Sequence, residues 1–363
     1  MLRTAWLGLG LTLMGCPMED NDKESGEAPE PAGNTIVDIA SADPNFSTLV
    51  GLLNDDLVET LSGPGPFTVF APTNDAFAGV DTSGLSDEQI AEILTYHVVS
   101  GSVGSSEIPA VADSVATFTL FFDTTDGVQV NDATVVDADI AASNGIIHVI
   151  DDVLLPPNIL DAAGFAGLTG LAGAVAAADA SVAETLGGEG DFTVFAPTND
   201  AFADIAADIP TDPGEIADIL FYHALTSSVD SGSIPARADS ASGITMFFDT
   251  TDGVAVNGAT VQIADIRTTN GIVHVIDAVL LPPDIVGAAG LAGLTELATA
   301  VGAADASVLA ALTSAGPFTV FAPTNDAFGS FTLPADQTLE NVLFYHAYPG
   351  SFDSANLPAK ADS

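Results

Sequence analysis

Eleven residues, FTVFAPTNDAF, occur three times without a change, beginning at Phe67, Phe192 and Phe318. That period is too long for a solenoid, whose units run to roughly 20–50 residues, and it matches the roughly 100–150 residues of an independently folding domain. The chain is thereby constrained to a tandem array of like globular units. What it does must reside in the unit and in its repetition.

Further landmarks keep the same register. Tyr96-His97 recurs as Tyr222-His223 and Tyr345-His346, and Ile108-Pro109-Ala110 as Ile234-Pro235-Ala236 and Leu357-Pro358-Ala359. FFDTTDGV at Phe121 returns at Phe247, and GIIHVIDDVLLPP from Gly145 returns as GIVHVIDAVLLPP from Gly271. The units so delimited run over 34–157, 158–283 and 284–363. The third does not reach the last two landmarks before Ser363. It reads as truncated by roughly 40 residues of the repeat, because a half-sheet would expose unpaired strand edges and an open apolar face. A GIIHVID-like segment is expected past Ser363.

Residues 1–15 read as a secretory signal, with Arg3 ahead of an apolar run from Ala5 to Met14. The run is shorter than the roughly 20 residues a bilayer span needs. The single cysteine, Cys16, follows Leu13-Met14-Gly15. This resembles the bacterial lipobox, whose cysteine is lipidated, and a lone cysteine has no intramolecular disulfide partner. Residues 16–33 carry Glu19, Asp20, Asp22, Glu24, Glu27 and Glu30 among Pro, Gly and Ser, and read as a disordered acidic tether. An exported protein is expected, lipid-anchored in the cell envelope at the outer membrane, cell surface or periplasm, and touching membrane only through Cys16.

Fifty acidic side chains against five basic ones give a formal charge of −45. No basic patch exists to neutralise phosphates, which excludes nucleic acid as a partner and disfavours anionic lipid. A hydrophobic content of 47% requires real cores all the same. The scattered acids read first as a solubilising surface, with a divalent-cation-dependent surface as the competing reading.

Within unit one, Phe46, Leu49, Val50, Leu53, Leu57 and Leu61 fall at helical spacing, so a helix is expected over 46–61, ended by Gly63-Pro64-Gly65-Pro66. The repeated motif reads as a strand, Phe67 to Phe70, and a turn into a helix with Thr73 as its N-cap. A second helix is expected from Asp87 to His97, with Ile90, Ile93, Leu94 and His97 on one face. Unit two repeats that face with Ile216, Ile219, Leu220 and His223, and unit three with Leu339, Val342, Leu343 and His346, so these histidines point inward. Short strands follow at Thr117–Phe122, Val128–Val130 and Thr134–Val136, joined by Asp-Gly and Asn-Asp turns. A further strand, Ile146–Ile150, sets His148 opposite in facing to Ile147 and Val149. All five histidines are thus elements of the repeat, which favours architecture over a single active site.

TVFAPTNDAF and NGIIHVIDDVLLPP, with Tyr-His between them, resemble the two signature segments of the fasciclin domain family. The likeness covers units one and two throughout and the first part of unit three. It implies an α+β fold of tandem fasciclin-like domains, each a β-wedge of two short sheets with helices packed on one side. Such domains are mostly extracellular or surface-anchored and are associated with adhesion and matrix contact. The family's recognition region around its Tyr-His pair maps onto Tyr96, His97, Tyr222, His223, Tyr345 and His346.

Three function classes follow. Tandem copies fit a surface adhesion or matrix-binding protein, because linked weak sites gain through effective concentration, whereas an enzyme gains little from near-copies. Its partner would be a cell-surface or matrix protein or a polysaccharide. The alternative is a periplasmic small-ligand or divalent-metal-binding protein, in which His97 approaches His148 and Asp123 with Asp126 forms a cation clip. DTTDG lacks the alternating oxygens and closing Glu of an EF-hand loop. A hydrolase is disfavoured: there is no G-x-S-x-G, no H-E-x-x-H and no cysteine within a unit. The sequence therefore reads as non-enzymatic, with no cofactor and no assigned metal site.

Overall fold

The computed structural model describes residues 33–314 and 316–357. Unit one opens with α1 (Ile36–Ala42), whose N-terminus is closed by a reciprocal pair: Asp38 N–H donates to the Thr35 hydroxyl and Thr35 N–H to the Asp38 carboxylate. After a 3-10 turn come α2 (Ser47–Leu52) and α3 (Asp55–Ser62). The single helix expected over 46–61 is therefore broken. Asn54 takes an extended backbone and its side chain accepts from Leu57 N–H, starting a new helix there. The chain continues through β1 (Phe67–Pro72), a 3-10 turn at Ala76–Gly79, and α4 (Asp87–Tyr96), capped by Ser86 with Gln89.

The remaining strands are β2 (Val98–Ser100), β3 (Val111–Asp113), β4 (Thr119–Asp123), β5 (Gln129–Val130), β6 (Ala133–Ala142) and β7 (Gly145–Ile150). They join in the order β2-β1-β7-β6-β5-β4-β3. All contacts are antiparallel except β1 with β7, which are parallel. The two short sheets of the expected wedge are thus linked into one seven-stranded order. The strand expected at Thr134–Val136 runs on to Ala142, and register shifts between Val135 and Ile140, with Asp139 at φ 61°, bend it. The bend lets one strand serve both halves. The sheet then curls until its ends meet: Val99 bridges Ser114, and Val115 N–H donates to Val98 O at 2.7 Å.

The curl creates two cores. On β1, Val69 and Ala71 face the helices and pack with Ile36, Leu49, Leu61, Leu94, Ile147 and Val149. Phe70 faces into the curl with Tyr96, Leu120, Val130, Ile150 and Leu154. The period-two alternation of the strand thus divides the motif between two apolar compartments.

Unit two repeats the plan with α5 (Ile159–Phe165), α6 (Thr169–Ala177), α7 (Ala180–Gly187), β8 (Phe192–Pro197), α8 (Asn199–Asp204) and α9 (Pro213–Tyr222). Its sheet holds β9 (Ala224–Leu225), β10 (Arg237–Asp239), β11 (Thr245–Asp249), β12 (Ala255–Val256), β13 (Ala259–Thr268) and β14 (Gly271–Ile276) in the matching order. Unit three shows α10 (Ile285–Leu291), α11 (Thr295–Ala303), α12 (Ala306–Leu312), β15 (Phe318–Val320), α13 (Asn325–Gly329), α14 (Leu339–Tyr345) and β16 (Ala347–Pro349).

Units one and two share an interface. Phe121 on β4 packs into the helical core of unit two, its ring 6.0 Å from that of Phe165, and Arg267 N–H donates to the Thr119 hydroxyl at 3.0 Å. Among the described residues no helix is long and apolar enough to cross a membrane.

Candidate functional site

The threonines and the asparagine of the repeated motif are engaged inside their own unit. The Thr68 hydroxyl donates to Gly101 O at 2.8 Å and accepts from Val103 N–H at 2.9 Å, and Thr193 and Thr319 do the same with Ser227 and Val229, and with Gly350 and Phe352. Thr73, Thr198 and Thr324 cap the turn that follows, as the sequence predicts. Asn74 ties that turn to the start of α2, accepting from Thr48 N–H and donating to Pro44 O. Asn199 and Asn325 repeat the clamp with Gly170 and Gly167, and with Glu296 and Gly293. Sequence reasoning missed the asparagine clamp; its signal was the invariance of Asn across three copies.

A second missed asparagine precedes the glycine of the last motif. Buried Asn144 accepts from Ile36 N–H at 2.9 Å and donates to Leu61 O and Gly63 O. Asn270 makes the same three contacts with Ile159, Leu186 and Gly188. One side chain thereby joins the first helix, the end of the third and the last strand of its unit.

The Tyr-His pairs of units one and two lie inside. The Tyr96 hydroxyl donates to Thr119 O and accepts from the Asn131 amide, both at 2.9 Å, and Tyr222 is held alike by Thr245 and Asn257. Burial pushes the Tyr96 hydroxyl pKa upward. His97 Nδ1 lies 2.7 Å from Ile93 O, and Leu154 N–H donates to Nε2 at 2.9 Å. His223 repeats this with Ile219 and Leu280. A carbonyl only accepts and an N–H only donates, so the neutral ring with its proton on Nδ1 satisfies both. Burial lowers the pKa of each to about 4. Tyr96, His97, Tyr222 and His223 therefore do not present their side chains to solvent, because the C-terminal turn of α4 or α9 seats them between sheet and helices. A partner reading this region would meet its backbone and surroundings. In unit three Tyr345 is 76% exposed and His346 half-buried.

His148 and His274 belong to the inner core, stacked on Phe70 and Phe195 at 5.4 Å. His148 Nε2 lies 3.0 Å from Val103 O, and Asp139 N–H donates to Nδ1 at 3.3 Å. His97 and His148 thus each have both nitrogens engaged by backbone. Ser105, Asp139 and His148 bring the residue types of a triad together without its connections. The Ser105 hydroxyl donates to the Asp139 carboxylate at 2.5 Å rather than to a base, and with Ser105 N–H it holds that carboxyl below its usual range. Asp123 likewise accepts from Thr125 N–H and hydroxyl, so the proposed clip with Asp126 has one acid turned onto its own loop. Among the described residues no three His, Cys, Asp or Glu side chains are grouped to hold a metal. Cys16, the expected signal and the expected tether up to residue 32 lie outside the described residues.

The Fasciclin domain family model matches residues 44–156, 166–282 and 292–362. Protein sll1483 of Synechocystis is 43% identical over 169 residues, covering 42% of this chain and 94% of that protein. Human periostin is 32% identical over 309 residues, which is 79% of this chain and 37% of periostin. The cell surface glycolipoprotein MPB83 of Mycobacterium bovis is 36% identical over 138 residues, covering 35% of this chain and 62% of that protein. Three tandem matches, set beside two curled seven-stranded units built on the same motif residues, place this chain in the fasciclin domain family.

Proposed function

We propose that this chain is a surface-anchored adhesion protein contacting cell-surface or extracellular-matrix protein or polysaccharide through repeated weak units. The observation that carries the reading is repetition with internal engagement. The invariant threonines and asparagine of the motif hold each unit together, as the Tyr-His pair does in units one and two, and the unit itself is what is multiplied. Linked copies raise avidity without any new contact. A cell surface glycolipoprotein among the relatives supports anchoring at the envelope, for which Cys16 is the candidate acceptor.

The test is retention of cells displaying the full chain against cells displaying unit one alone, on matrix protein, polysaccharide and like cells, with and without chelator. Retention rising steeply with unit number supports the reading, and chelator sensitivity brings the acidic surface into the contact. Retention equal to that of undecorated cells on every surface overturns it. Cys16→Ser should move the chain from the membrane to the soluble fraction, and unchanged membrane association would refute lipid anchoring.

A further inference from the structure

Where the first helix of unit two meets the closing segment of unit one, a cavity of about 250 Å³ remains. Leu155, Pro156 and Phe165 give it an apolar lining, Asp132, Asp152 and Asp161 an acidic one, and no basic residue borders it. It continues the interface of the two units, since the Phe165 ring also meets Phe121. Leu155 is 50% exposed. Asp152 accepts from Val153 N–H at 2.8 Å and Asp161 from Asn158 N–H at 3.4 Å, each through one oxygen.

Acidity alone says little in a chain of formal charge −45. The repeat shows that these three acids are a set. At the same positions one unit later stand Gly258, Ala278 and Gly287, although the intervening VLLPP is kept letter for letter. Neighbouring acids behave otherwise: Asp113, Asp123, Asp126, Asp139 and Asp151 return as Asp239, Asp249, Asp252, Asp265 and Asp277, and in that stretch only Asp137 is also lost. The carboxylates that border the cavity thus belong to the first joint, while the apolar frame is common to both. A bare metal ion fits poorly, since among the described residues no three such side chains are grouped to hold one. A cation on an alkyl stem fits both linings, its stem on the apolar residues and its charge among the acids.

We propose that this cavity receives a basic side chain, arginine or lysine, from a polypeptide partner. The stem lies along Leu155, Pro156 and Phe165, and the charged head meets Asp132, Asp152 and Asp161. The chain has only five basic side chains of its own, so the complementary charge comes from another molecule. The inference rests on the adhesion reading and narrows its partner to a basic protein.

The test uses the full chain and a labelled peptide ARARARARA, followed by fluorescence anisotropy in about 0.15 M salt, where screening confines distant acids to roughly 8 Å. Saturable binding with one site per chain is expected. Asp132→Asn, Asp152→Asn and Asp161→Asn together keep every acceptor named above and should weaken binding about tenfold. Glu59→Gln, Glu92→Gln and Glu184→Gln together remove the same charge at exposed positions elsewhere and should weaken it less than about twofold. Leu155→Ser should weaken it about threefold through the lost apolar contact. Equal weakening by the two triple variants, equal affinity for the peptide with citrulline in place of arginine, insensitivity to Leu155→Ser, or absence of saturable binding would each overturn the proposal. Displacement by spermidine at the peptide's own concentration would mark a small-amine site and overturn the polypeptide partner. Because the peptide binds in solution, these failures leave the retention experiment untouched, and that experiment alone decides the adhesion reading.

Discussion

At the scale of single residues, the polar groups of the motif act as internal fasteners. Asn144 shows this most sharply, since its one amide serves three backbone groups in two helical segments. Asn144→Asp keeps the acceptor and removes both donors, setting a carboxylate against two carbonyls. A loss of roughly 3 kcal/mol is expected from the unmet buried groups, read by chemical denaturation, and a loss below about 1 kcal/mol would contradict this account. The buried histidines set a pH dependence. Their folded value of about 4 lies below the ordinary 6.5, so as pH falls the unfolded chain takes up protons first. Their contribution, about 3 kcal/mol each, is complete above pH 6.5 and lost as pH falls toward 4. NMR titration should show the imidazoles of His97 and His223 unchanged from pH 8 to 5; a midpoint near 6.5 in the folded protein would refute the assignment. Thr73 as a cap and His97 as a core residue were legible in the sequence, because both depend on neighbours within one helix turn. The asparagine clamps were not, because Asn144 reaches partners 83 and 108 residues away.

At the scale of elements, close approach of backbones fixes what the sequence can vary. The parallel pair β1–β7 brings Gly145 against Phe67 with no room for a Cβ. Gly145→Ala should therefore lower unfolding stability by about 2 kcal/mol or more, while Gly127→Ala, at a turn where nothing crowds the added carbon, should act only through its backbone φ of 96°. Comparable thermal shifts for the two variants would argue against crowding as the cause. The helix over 87–97 was readable from its 3.6-residue period, and it forms as α4 with His97 closing it. The break at Asn54 was hidden because apolar periodicity runs through it unchanged. β2 and β3, three residues each, went unpredicted: strands this short acquire their identity from partners, Val98 from Val69 and Val111 from Phe121.

At the scale of the molecule, units one and two are coupled through an aromatic contact. Phe121 and Thr119 are buried on β4, whereas their repeat counterparts Phe247 and Thr245 on β11 are half-exposed. The Phe165 ring and the Arg267 N–H account for the difference. Phe165→Ala should cost about 3 kcal/mol and split the unfolding of the two units into separable calorimetric transitions. A single unchanged transition would show that the ring does not couple them. The formal charge of −45 opposes compaction at every scale, so thermal stability should rise between 0.01 and about 0.15 M salt as screening shortens to roughly 8 Å.

The sequence by itself determined the tandem plan, the α+β character of the unit, the inward histidines and the family, because these are carried by exact repetition and by periodicities shorter than one element. Tertiary structure alone decided that one bent strand joins the sheet halves, that the sheet curls on itself, that asparagines fasten distant segments and that Phe121 meets Phe165. Each of these depends on groups brought together from far along the chain, and no local pattern records a contact whose two halves are separately ordinary. The same rule governs the Tyr-His pairs of units one and two: helical spacing turned each histidine inward, and only the folded unit supplied Asn131 and Leu154, or Asn257 and Leu280, as partners.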